Sequence, residues 1–138
     1  MKLTMIVIAA VFLGAQAWVR LAPGDPGRWH VDPGVAPKTF KNGLIHVQAG
    51  DGAAFARLDD VIRASARTRV LAGDISDGRI TYVTRSLFWG FPDYTTVQLG
   101  ADGQIIIYAR ARFGRSDLGV NQARVQAWLQ RLQTVQGG

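Results

Sequence analysis

Gln104-Ile105-Ile106-Ile107-Tyr108-Ala109-Arg110-Ala111-Arg112-Phe113 alternates residue by residue, and Gly114-Arg115-Ser116-Asp117-Leu118-Gly119-Val120-Asn121 leads it into an amphipathic helix. Side chains alternate sides along a strand, so Ile105, Ile107, Ala109, Ala111 and Phe113 share one face. Ile106, Tyr108, Arg110 and Arg112 share the other. The helix begins between Asp117 and Asn121 and runs to about Thr134. It turns Asn121, Val125, Trp128, Leu132 and Val135 to one side, with Leu129 alongside. A period of two giving way to a period of 3.6 is the mark of a sheet that a helix covers.

Upstream, Tyr94 to Leu99 alternates, with Thr95, Val97 and Leu99 on one face, and Gly100-Ala101-Asp102-Gly103 makes the following turn. Arg69–Ile75 and Arg79–Leu87 flank Asp77-Gly78, a hairpin signal because both central turn positions take positive φ. A helix is expected from Gly52 to about Ala66, with Phe55, Leu58, Ile62 and Ser65 at three-four spacing, Val61 widening the stripe and Asp51 as its N-cap. The expected fold is α+β: a four-stranded antiparallel meander with two helices packed on one face, a single domain over residues 44–136. Leu44-Ile45-His46-Val47 reads as a short strand at most. From Ala22 to Gly43 four prolines and four glycines interrupt any period, which predicts a tether. Trp29, His30 and Phe40 are its candidates for docking.

The amino terminus carries an export signal. Lys2 precedes an uncharged stretch from Leu3 to Val19, and Arg20 is the next charge. Residues 1–21 fit a signal peptide cut after Ala15-Gln16-Ala17 or a retained membrane anchor, the stretch lying at the short end of the roughly 17–25 apolar residues a span needs. Trp18 and Arg20 favour the anchor, as an indole and a snorkelling arginine suit the outer end of a span. The expected location is thus the inner membrane, single-pass, with the domain on the extracytoplasmic, periplasmic side. The alternative is a cleaved, periplasmic protein.

The 138 residues carry thirteen Arg and three Lys against ten Asp, a formal net charge of +6, and lack cysteine. Disulfides and cysteine-ligated metals are excluded. The charges are scattered, and steering fields need clustered charge. Export argues against nucleic acid as the partner. His30 and His46 lack metal-ligand spacing, and neither phosphate-binding glycine loops nor a nucleophile elbow occurs, so neither metal nor cofactor is expected.

Three stretches hold candidate chemistry. The 114–121 loop has an arginine beside helix-start amides, which suits an anion, but Ser116 and Asp117 are also good caps, and a geometric corner is the favoured reading. Arg110 and Arg112 share a strand face with Tyr108, with Tyr94 from the neighbouring strand, which suits an anionic or sugar-like ligand. An open sheet face merely dressed with polar residues is the competing reading, slightly ahead. Arg85 joins that group or pairs with Asp93. Leu87-Phe88-Trp89-Gly90-Phe91-Pro92 is an apolar loop expected to cover the core edge; if exposed, it marks a partner or membrane contact.

The block Gly114–Asn121, with Tyr82-Val83-Thr84-Arg85-Ser86 and Phe88-Trp89-Gly90-Phe91-Pro92-Asp93, resembles the domain-of-unknown-function 1499 family of small bacterial and plastid envelope proteins. The resemblance spans roughly Phe55 to Leu132. Matching positions are Arg85, Ser86, Phe91, Asp93, Arg112, Gly114, Ser116, Asp117, Gly119 and Asn121, to which the resemblance assigns no roles. Many relatives carry a second acid after Asp93, where this chain has Tyr94, and cysteines before the domain, where it has none. The expected function is a membrane-tethered, non-catalytic binding or interaction domain. It would hold an anionic envelope ligand or a protein partner through Arg85, Asp93, Arg110, Arg112, Ser116 and Asp117. The alternative is a small hydrolase or transferase using Asp93 or Asp117 with Arg112. A structural subunit of an envelope complex is a third possibility.

Overall fold

In the computed structural model, which describes residues 1–137, six strands form one sheet. They are β1 (Lys38–Phe40), β2 (Gly43–Ala49), β3 (Thr68–Asp74), β4 (Arg79–Arg85), β5 (Pro92–Gly100) and β6 (Gln104–Ala111). The order is β1-β2-β6-β5-β4-β3, and every pair is antiparallel. The helices are α1 (Lys2–Leu21), α2 (Pro26–Trp29), α3 (Gly52–Arg63) and α4 (Val120–Gln136). The α+β class is as expected, but there are six strands rather than four. Leu44–Val47, expected to be a short strand at most, extends over Gly43–Ala49 and pairs with β6 from Gly43↔Arg110 to Ala49↔Gln104, and β1 pairs with it in turn. Ile105, Ile106 and Ile107 of β6 are all buried because both faces of the sheet are covered.

On one face α3 and α4 pack side by side. Phe55, Leu58 and Ile62 of α3 and Val125, Trp128 and Leu132 of α4 close over Leu44, Ile80, Tyr82, Val97, Ile105, Ile107 and Ala109. Asp51 caps α3 as expected, accepting from the Ala54 amide at 2.8 Å.

The opposite face is covered by the segment expected to be a tether. Asp25 caps α2 by accepting from the Gly27 amide at 2.9 Å, with Pro26 at the first helical position. Trp29 is buried against Val83, Tyr94 and Leu71. Farther along, His30 Nδ1 lies 2.9 Å from Thr81 Oγ1, and Asp32 pairs with Arg79 at 3.3 Å. Gly24 makes the close approach possible, since a Cβ there would sit 2.9 Å from both Leu71 Cδ1 and the Tyr94 hydroxyl. Proline and glycine break the sequence period, yet this segment is held by side-chain packing that has no period.

α1 has twenty residues and a mean hydropathy of 1.8 over its most apolar window. It is long and apolar enough to cross a membrane, a property that anchors and signal sequences share. Its last turn meets the sheet where β4 and β6 end. Val19 is buried there, and Arg85 Nη1 donates to its carbonyl at 3.0 Å.

Candidate functional site, an arginine cleft at the end of the first helix

The site forms where β3 starts, β4 ends and α1 finishes. Arg69 opposes Val83 across the β3–β4 pair, and Arg85 closes β4 against Pro92. Arg67 precedes β3 with φ of 55°, a left-handed conformation uncommon outside glycine. Arg67 Nε donates to the Arg85 carbonyl at 3.0 Å, and the Arg85 amide returns a bond to the Arg67 carbonyl at 3.0 Å. The turn therefore holds two guanidinium side chains in one place. Arg20, in the last turn of α1, donates from Nη2 to the Phe88 carbonyl at 2.8 Å, while Arg85 Nη1 also bonds the Gly90 carbonyl at 2.9 Å.

Arg20, Arg67, Arg69 and Arg85 line a cleft of about 440 Å³ with Thr68, Val83, Ser86, Leu87 and Gly90. Its lining holds four arginines and neither an aspartate nor a histidine. Among the described residues the ion pairs are Arg63–Asp59, Arg79–Asp32 and Arg124–Asp93, so none of the four has a carboxylate partner. Burial, and then Arg69, lowers the pKa of Arg85 from its ordinary value, with Arg112 and Arg20 adding to the effect. Clustered guanidinium groups repel one another, and an anion placed among them relieves that repulsion. Guanidinium groups suit this because their planar donors grip phosphate or carboxylate oxygens in pairs. Ser86 offers no activated nucleophile; its Oγ accepts from the Phe91 amide at 3.0 Å.

Of the six residues expected to bind a ligand, Arg85 alone lines this cleft. Arg110 is buried, its guanidinium bonded to the Trp29 carbonyl, to Thr96 Oγ1 at 3.0 Å and to the Tyr108 carbonyl at 3.0 Å, and lying 4.0 Å from the Tyr108 ring centre. Burial lowers its pKa to about 10. Arg112 donates to the Pro23 carbonyl at 3.1 Å and the Tyr94 hydroxyl at 3.3 Å. The expected open cationic face is thus spent on the chain's own backbone: Arg85, Arg110 and Arg112 clasp the carbonyls of Val19, Trp29 and Pro23.

Asp93 lies on the other face, opposite Ala111 and so away from Arg112. It accepts from Arg124 at 3.0 Å and Asn121 at 3.4 Å, and burial raises its pKa in spite of both. Asp117 accepts from the Gly119 and Asn121 amides at 2.9 and 3.2 Å, and Ser116 Oγ from the Leu118 amide at 3.2 Å. The 114–121 loop is a capped corner, and the carboxylate–Arg112 pairing of the catalytic alternative is not assembled. Arg20, Arg67 and Arg69 were missed. The Arg67-Thr68-Arg69 spacing, which sets two cations two residues apart at the start of a strand, was the available signal.

The Leu87–Pro92 loop departs from expectation as well. Leu87 and Phe88 are 76% and 73% exposed, and Trp89 and Phe91 are exposed too. Their rings pack on each other and on α1: Phe88 and Trp89 are 4.9 Å apart between centres, Trp89 and Phe12 6.0 Å, Trp89 and Phe91 6.3 Å.

A family model matches residues 20–132, most of the chain. The chain belongs to the family described as protein of unknown function (DUF1499). The DUF1499 match agrees with the resemblance carried by the 114–121 block. It begins at Arg20, so it takes in the docked segment and all four arginines of the cleft. No curated protein matches this DUF1499 chain.

Proposed function

We propose that this protein is a single-pass membrane-anchored domain, on the extracytoplasmic side, that binds an anionic envelope ligand without transforming it. The observation that carries this reading is the cleft of four arginines with no carboxylate partner among the described residues. The apolar length of α1 supports the anchor, and the contact of Phe12 with Trp89 supports its retention, since cleavage after Ala17 would strip that ring of its partner. The lack of an acid, histidine or free nucleophile in the lining favours binding over catalysis.

The test is titration of the full-length chain, in a neutral detergent, with glycerol phosphate. Saturable binding is expected. Arg69→Gln removes one charge-assisted contact, worth about 1.5–3 kcal/mol, and should weaken binding about tenfold or more. Arg115→Gln, an exposed arginine outside the cleft, should leave affinity unchanged. Absence of binding, or equal loss in both variants, would refute the assignment. An intact mass including Met1 for protein purified from membranes would support the anchor, and a mass beginning at Trp18 would exclude it.

A further inference from the structure

We infer that the cleft receives the phosphodiester headgroup of an anionic glycerophospholipid from the leaflet that α1 enters, while the Leu87–Phe91 loop dips into that leaflet beside it. This rests on the cleft being an anion site, and it names the source of the anion.

Depth along α1 carries the inference. An α-helix rises about 1.5 Å per residue, so the eight residues from Phe12 to Arg20 span about 12 Å. A helix of this length with Lys2 and Arg20 at its ends just crosses a hydrocarbon core of about 30 Å. With α1 so placed, Arg20 lies at headgroup level and Phe12 lies well inside the apolar layer. Trp89 packs on Phe12, and a groove between Phe88, Trp89 and the α1 residues Phe12, Leu13 and Gln16 joins the loop to the helix at that depth. Four apolar side chains of one loop, all exposed to water, then have an apolar phase to enter.

The cleft sits one step above. Arg20 both lines it and holds the Phe88 carbonyl, so the same residue joins the charged cleft to the inserted loop. Arg85 lines it and holds Val19, the residue before the anchor's terminal charge. The lining is correspondingly two-sided, with guanidinium groups together with Val83, Leu87 and Gly90. A phosphodiester with acyl chains running down beside the loop satisfies both sides, whereas a free anion satisfies only one. Arg67 and Arg69 are exposed and carry no carboxylate, leaving terminal donors for the phosphate oxygens. Juxtamembrane cations also gain from the negative potential of anionic lipids at the surface.

The experiment inserts the full-length chain into phosphatidylcholine membranes containing a minority of phosphatidylglycerol, extracts it with neutral detergent, and measures the two lipids retained per chain. Wild type should retain phosphatidylglycerol several-fold above its bulk share, and Arg67→Gln with Arg69→Gln should return retention to the bulk ratio. Lys38→Gln with Arg131→Gln removes the same charge outside the cleft and should keep the enrichment; equal loss in this control would reduce the effect to general attraction and overturn the inference. Should the double variant lose its fold, Arg69→Gln alone serves, since Arg69 takes no part in the Arg67–Arg85 hydrogen bonds. If glycerol phosphate binds in detergent but phosphatidylglycerol is not enriched, the cleft takes a soluble anion: the lipid inference falls and the anion site stands. If neither binds, both fall.

Insertion has its own readout. The chain lacks cysteine, so Phe88→Cys and Ser76→Cys each give one labelling site. A fluorophore at position 88 should be strongly quenched by lipids brominated on their acyl chains, and one at position 76, in the β3–β4 turn, should not. Equal quenching at the two positions would overturn the placement of the loop.

Discussion

Trp29 lies flat on Tyr94, with ring centres 4.1 Å apart and planes 8° from parallel. The stack fastens the N-terminal segment to the sheet and makes that segment part of the fold. Replacing a buried tryptophan with alanine costs roughly 3–5 kcal/mol. Trp29→Ala should lose about that much in urea unfolding of the detergent-solubilised chain. A loss below about 1 kcal/mol would mean the segment is draped over the sheet without stabilising it.

Tyr82 donates to buried Asp59 at 2.7 Å, and Arg63 Nε meets both oxygens of that carboxylate at 2.8 Å. Burial, then the bond to Asp59, raises the Tyr82 phenol well above its ordinary 10.0. Folded wild type and Tyr82→Phe should therefore give superimposable tyrosinate absorbance curves through the alkaline range. The variant also leaves Asp59 short of one donor and should be less stable by about 1–3 kcal/mol. An extra tyrosine titrating near 10 in folded wild type would contradict the burial.

Asp93 titrates above 3.8 because burial outweighs Arg124 and Asn121. The folded chain therefore holds that proton more tightly than the unfolded chain does. This group's contribution to stability is full below pH 3.8 and is lost as pH rises through the raised pKa. Asp93→Asn keeps an oxygen acceptor for Arg124 and removes the titration. Its unfolding free energy relative to wild type should improve from acid to neutral pH. A difference that is constant with pH, or of opposite slope, would show that the ion pair with Arg124 dominates.

Asp117, two residues before the Gly119 N-cap of α4, accepts from the Gly119 and Asn121 amides. Asp117→Ala should cost about 1 kcal/mol or somewhat more, the usual worth of hydrogen bonds to a carboxylate, and leave glycerol phosphate affinity unchanged. Loss of affinity with the fold intact would return the 114–121 loop to the binding site.

Much of the sheet was legible because its residues are local in consequence. Asp77-Gly78 marks the β3–β4 hairpin, although the turn spans four residues, 75–78, and Gly78 alone of the pair takes positive φ; Gln104–Phe113 specifies two faces, whatever lies elsewhere in the chain. The α3 and α4 stripes likewise announce a buried side. What escaped was the second covering layer. Tyr94, Thr96 and Arg110 look like a wet face until Trp29 and its carbonyl arrive, and no spacing in Ala22–Gly43 says where an irregular segment will lie. The exposed Leu87–Phe91 loop was misjudged for a related reason: apolar content predicts that a loop seeks cover, but not whether the cover is the core or something outside it.

The sequence by itself determined the α+β class, the membrane-competent α1, the hairpin, the two core helices and the family. Periodicity, turn chemistry and a dense local motif each act over a few residues. The tertiary structure alone decided which arginines come together. Arg85, Arg110 and Arg112 look alike in the chain and all three hold backbone carbonyls, yet Arg110 is buried under Trp29 and Arg112 is tied to Pro23, while Arg85, bonded to Val19 and Gly90, also borders the cleft that Arg20, Arg67 and Arg69 line. A guanidinium's function depends on whether its donors are already used, and that is settled by segments distant in sequence that meet only in the fold.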